Sequence, residues 1–116
     1  MAHPFHHAVS SVKRFGGQSQ DYLPVHQWFD QTKAHMADAR HRAILHSSFG
    51  IFLCEQVFGT TIINSTGRHI PVRLIAEQHV LEDMGGRIPS VQDWLTNLPL
   101  EAWMVSGAAL LEEGEV

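Results

Sequence analysis

The chain has 116 residues, 44% hydrophobic and 17% charged, with a formal net charge of −4. That length suits one domain around one core, and the composition is that of a globular rather than a disordered chain. The acidic balance argues against a broad nucleic-acid surface, which needs clustered excess Lys and Arg, and leaves only a local basic group at Lys33, Arg40 and Arg42.

The N-terminal MAHPFHHAVSS lacks the basic start and long apolar stretch of a signal peptide. Residues 3–14 read as a first helix, with Pro4 in its first turn and an apolar face of Phe5, Ala8, Val9 and Val12. His3 with His6 or His7 has the i, i+3 or i, i+4 spacing that lets two imidazoles reach one ion. Gly16-Gly17 ends the helix and opens a polar loop.

Asp21 reads as an N-cap, after which a helix is expected from about Val25 to Phe58, closed by Gly59. At 100° per residue, Trp28, Gln31, His35, Asp38, Arg42, His46, Phe49 and Leu53 share one stripe of it. A core-facing stripe should be apolar throughout, yet this one carries His, Asp, Arg and His in its middle. Such groups are costly to bury unless they are paired or bound to something. Nine histidines against eight Lys plus Arg strengthen the suggestion of an imidazole site.

Cys54 is the single cysteine, so an intramolecular disulfide and Cys-based zinc motifs are ruled out, and a reducing, cytoplasmic setting is expected. The apolar run Gly50 to Cys54 falls far short of the roughly 20 residues that span a bilayer. Thr60 to Asn64 and Arg68 to Val72 read as a β-hairpin, with Pro71 at an edge or strand end. Arg73 to Met84 reads as a further helix closed by Gly85-Gly86, with His79 and Asp83 one turn apart on one face and Glu77 pointing elsewhere. Ser90 and Asp93 form a near capping box for a short helix to about Asn97. The fold class is therefore mainly α (α+β): a single helical domain over residues 1–104, built on one long central helix with one hairpin at about 60–72, followed by an acidic, flexible tail over 105–116.

Helix geometry limits which residues can cooperate. His35 and Asp38 can share an ion, but His35 and His46 lie about 16 Å apart along a helix axis. A complete site needs a second helix, and the His79 and Asp83 pair is the best donor. Two histidines and two carboxylates suit Zn, Mn or Fe. An ion-pair network built on Asp38 and Arg42, and a metal-free acid-base pocket, stand beside that reading as alternatives.

The chain resembles an uncharacterised family of small histidine-rich proteins from bacteria and tailed phages. The resemblance rests on His3-Pro4-Phe5-His6-His7-Ala8, Phe15-Gly16-Gly17, His26-Gln27-Trp28-Phe29-Asp30, Lys33-Ala34-His35, Arg40-His41-Arg42, Glu77-Gln78-His79-Val80 and Arg87-Ile88-Pro89, and covers roughly residues 3–95. It implies no particular activity. A second comparison, with HD-type metal-dependent phosphohydrolases, is architectural only, because the adjacent His-Asp dipeptide is missing.

Two functions follow as expectations. In the first, His35, Asp38, His79 and Asp83 hold a metal for a hydrolase, with His46 or Glu77 as base and Arg42 stabilising an anion. In the second, the chain is a non-enzymatic accessory protein acting as a homodimer, and the polar stripe fixes helix register.

Overall fold

The structure, a computed structural model, describes residues 3–105. It contains α1 (Pro4–Phe15), α2 (Ser19–Phe29), two 3-10 turns (Gln31–Ala34 and Ala39–Arg42), α3 (Ser48–Phe58), β1 (Thr61–Ile63), β2 (His69–Pro71), α4 (Val72–Asp83) and α5 (Val91–Leu95). The mainly α class with one small hairpin is as expected. The tail expected over 105–116 lies outside the described residues from residue 106 onward.

Helix α1 is capped by the His3 ring, whose Nδ1 accepts from the Phe5 amide, and Pro4 occupies the first turn, where its missing N–H costs nothing. Its buried stripe is Pro4, His7, Ala8, Ser11 and Phe15 rather than the face expected, and Phe5 is left about half exposed. The stripe is decided by what α1 meets: polar groups on α2 and α4 receive His7 and Ser11. His3 and His6 are exposed and His7 is buried, so His7 does not share an ion with either.

Helix α2 begins six residues earlier than expected. Asp21 sits at its third position and accepts from the Gln18 amide in a capping box. Pro24 falls inside the helix with its side exposed. The short Gly16-Gly17-Gln18 connection makes α1 and α2 antiparallel neighbours, and both glycines have positive φ.

The long central helix is the main correction. It is divided into α2, the 3-10 turns and α3. Along an unbroken helix, residues 30 and 46 would be about 24 Å apart, whereas the His46 ring lies 3.7 Å from the Asp30 carboxylate. Burial of these polar groups against each other overrides the local helical preference of the intervening alanines. The local break signal is Ser47, whose hydroxyl caps α3 by accepting from the Gly50 amide at 3.1 Å. A Cβ on Gly50 would overlap the Leu45 carbonyl, so the chain folds back there in a way only glycine permits. Ser47→Ala is expected to cost about 1 kcal/mol in urea unfolding, and because it loosens the residue after His46 it should weaken any ligand held there.

The hairpin pairs Thr61 with Pro71, Ile62 with Ile70 and Ile63 with His69. It packs Ile70 into the core beside Val72 and Ile75. Its turn is tied to the α1–α2 connection: Asn64 Nδ2 donates to Tyr22 Oη at 3.1 Å, Tyr22 Oη–H donates to the Gly16 carbonyl at 2.6 Å, and Ser65 donates to Asp21. Pro71 ends the strand and caps α4. Cys54 is fully buried, and desolvation first, then the Glu55 charge, push its thiol to about 12, consistent with an inert core thiol. No helix among the described residues is long and apolar enough to cross a membrane.

Candidate metal centre

Five histidines among the described residues are buried, and four of them, from four parts of the chain, are at most 1% exposed: His7 of α1, His26 of α2, His46 just before α3, and His79 of α4. With them lie Asp30, which ends α2, and Asp83, the last residue of α4. His46 is positioned from outside its own segment, because the Trp94 indole of α5 donates to its carbonyl at 2.9 Å and the Ser48 amide donates to Pro89.

Asp30, His46, His79 and Asp83 each offer one ligand atom, and these atoms all lie within 4.8 Å of one another. The edges are short and similar. His46 Nε2 and His79 Nε2 are 3.2 Å apart, and Asp83 Oδ2 is 3.0 Å from the first and 3.2 Å from the second. Asp30 Oδ1 is 3.7 Å and 3.6 Å from the same two nitrogens. Donors about 2.0–2.2 Å from a tetrahedral zinc ion stand roughly 3.3–3.6 Å apart; these five edges differ from that by a few tenths of an ångström, and with the Asp30–Asp83 edge also within 4.8 Å the four could hold a metal ion.

The electrostatics separate the two acids. Burial pushes Asp83 up, but hydrogen bonds with His46, His7 and His79 outweigh it and hold this carboxyl far below the usual range. Its other oxygen lies 3.1 Å from His7 Nε2, and Arg42 donates to its backbone carbonyl at 3.2 Å. Asp30 is also held low: burial raises it, and the neighbouring His79, Lys33 and His46 lower it further. Yet neither oxygen of Asp30 accepts a hydrogen bond from any described residue, and both are buried. A buried carboxylate without a donor is costly.

The histidines divide by charge. His7 lies between Glu82, at 2.7 Å from Nδ1, and Asp83. Burial lowers its pKa, but those two acids prevail and raise it, favouring an imidazolium with both nitrogens donating. Burial, helped by the charges of His79 and His7, drives His26 down to about 2. His46 is also lowered, by burial above all. A neutral imidazole is what a metal ligand requires.

The family model described as a domain of unknown function (DUF6915) matches residues 2–104. The chain belongs to that family. No curated protein matches this DUF6915 chain, and no solved structure does.

Of the residues singled out from the sequence, His79 and Asp83 are in the DUF6915 cluster and His46 joins them among the candidate ligands rather than beside them as a base. His35 and Asp38 are exposed on the loop between α2 and α3. Asp38 caps a 3-10 turn and pairs with Arg40 at 2.7 Å, so the stripe that linked them to His46 does not exist once the helix breaks. Arg42 sits against Asp83. Glu77 pairs with Arg73 at 2.9 Å and lines a surface groove with Ser48, Ile51 and Phe52. Sequence reasoning missed Asp30, hidden as a helix C-terminus, and His26, which looked like one more histidine in a helical run.

Proposed function

We propose that this chain is a metal-binding helical domain in which Asp30, His46, His79 and Asp83 hold one divalent transition metal ion, Zn, Mn or Fe. The observation that carries the reading is the Asp30 carboxylate: buried, without a hydrogen-bond donor, and facing two ring nitrogens that already converge on Asp83. An ion there supplies the missing partner. It also joins α2, α4 and the segment preceding α3 at one point, so its binding energy becomes folding energy.

The same geometry favours holding an ion over turning over a substrate. A catalytic site keeps an open coordination position, whereas the four ligand side chains are 0–5% exposed. Three surface grooves among the described residues are lined by none of them. The hydrolase reading draws its support from Arg42, 13% exposed beside Asp83, where an anion could approach.

One observation favours the non-enzymatic alternative. The three carboxylates of the cluster, Asp30, Asp83 and Glu82, are already faced by three cationic groups, Lys33, Arg42 and His7. The network approaches neutrality without an ion to the extent that His7, whose pKa those acids raise, is protonated, as a register-fixing polar core would.

Metal analysis of protein purified without an affinity tag is expected to find close to one equivalent of Zn, Mn or Fe. Zn²⁺ or Mn²⁺ added to a chelator-stripped sample at a hundred times its Kd should stabilise the fold by about 2.7 kcal/mol. A stripped, folded sample whose melting temperature ignores both ions would overturn the proposal in favour of the polar core.

A further inference from the structure

We infer that His26 is a positioning residue for this centre: it determines which nitrogen of His79 carries the proton, and ion binding reverses the hydrogen bonds that run Ser11–His26–His79. The inference rests on the metal reading above. His26 Nδ1 and His79 Nδ1 are 3.0 Å apart, and both rings are fully buried. Two like nitrogens at that distance form a hydrogen bond only when one proton lies between them, on one ring or the other. On its far side, His26 Nε2 is 2.8 Å from Ser11 Oγ, and Ser11 in turn reaches Gln78 Oε1 at 2.9 Å.

Two arrangements satisfy the contacts among Ser11, His26 and His79, and the Ser11–Gln78 contact is a hydrogen bond in the second of them. Without an ion, His79 Nε2–H donates to Asp83 Oδ2, His26 Nδ1–H donates to His79 Nδ1, and the Ser11 hydroxyl donates to His26 Nε2. With an ion, His79 must present the Nε2 lone pair, so its proton sits on Nδ1 and is donated to His26 Nδ1. His26 then donates Nε2–H to Ser11 Oγ, and Ser11 donates to Gln78 Oε1. Three protons are present in each arrangement. The one that leaves Nε2 of His79 goes to solvent with ion entry and is replaced by one taken up when the buried Ser11 end opens transiently, so no residue of the chain changes charge.

The choice of partner gives this its meaning. Metal-bound histidines are usually backed by a carboxylate or a carbonyl, which can only accept and so lock the ring. A neutral imidazole both donates and accepts, and the His26 ring, fully buried between Ser11 and His79, has a partner at each nitrogen for either role. His79 can therefore be satisfied whether or not the site is filled. His46 lacks this support, since its Nδ1 is buried with no hydrogen-bond partner among the described residues.

The test is the ring nitrogen spectrum of the full chain, labelled with ¹⁵N and compared after chelator stripping and after loading with Zn²⁺. His79 is expected to pass from the Nε2–H to the Nδ1–H form, and His26 from Nδ1–H to Nε2–H. His26→Phe, which cannot accept the His79 proton, should weaken Zn²⁺ binding about 10–100-fold. His26→Gln, whose amide can accept from His79 and donate to Ser11, should recover most of that loss. Zn²⁺ uptake by the natural chain with His26 in one tautomer throughout, or equal affinity in His26→Phe, would overturn this inference and leave the metal reading standing. No uptake by the natural chain would overturn both. Should His26→Phe fail to fold, the spectra of the natural chain decide alone.

Discussion

Asp83→Ala is expected to lower the stability of the chelator-stripped protein by about 3–5 kcal/mol, the usual cost of removing one side of a buried charged network, and to abolish Zn²⁺ uptake. One carboxylate here meets three imidazoles, His7, His46 and His79, with Arg42 alongside. Its removal leaves His7 with Glu82 as its one acid and strands the ring nitrogens of His46 and His79 in the interior. Asp30→Asn makes the informative contrast. No hydrogen bond is lost with that charge, and the pairing lost is with the partly exposed Lys33, so stability without metal should stay within about 1 kcal/mol of the natural chain, while Zn²⁺ affinity falls at least about tenfold, as for loss of a group that orients or binds a metal. Urea midpoints of stripped samples, paired with zinc titrations, read both quantities. If Asp30→Asn leaves zinc affinity intact, Asp30 is not a ligand.

Acid should destabilise the stripped protein well before its carboxylates titrate. His26 has an ordinary value of 6.5 and a folded value of about 2. Below pH 6.5 the unfolded chain therefore takes up a proton that the folded chain refuses, and stability is lost as the pH falls from 6.5 towards 2. By pH 5 this group alone costs about 2 kcal/mol. His46 and His41 are lowered as well and act in the same direction. His7 is raised and opposes them: its contribution is complete below 6.5 and is lost as the pH rises through its folded value. Asp83 and Asp30 are lowered, so what they contribute is intact above about pH 4 and disappears only below it. Urea midpoints between pH 8 and pH 4.5 should thus fall steeply below 6.5, and His26→Gln should flatten that limb. A midpoint that does not change between pH 7.5 and pH 5 would mean that these rings charge freely.

The parts of this fold that local chemistry decides could be read in advance. The hairpin follows from β-prone runs around Asn64 and Gly67, α5 from the Ser90 and Asp93 cap, and the His79–Asp83 pair from helical spacing. The site also needed a second segment, as helix length requires. What could not be read was which segment. The stripe through Trp28, His35, Asp38, Arg42 and His46 is regular, and nothing between Phe29 and Ser47 is a strong helix breaker. The break is enforced by contacts between residues far apart in the chain, and periodicity does not carry that information. His26, and the partners of His7, were hidden for a related reason: each ring lies on a helix face that could equally have met solvent, and only the arrival of α4 makes it interior.

The order in which the candidate ligands occur has a consequence for synthesis. Asp30 and His46 leave the ribosome early, while His79 and Asp83 arrive at the far end of α4. A growing chain cannot enclose an ion until that helix is complete, since domains acquire their long-range contacts as units. An ion bound as proposed would be selected only after α4 has been made, with the hairpin already formed and the first two helices waiting for their cover.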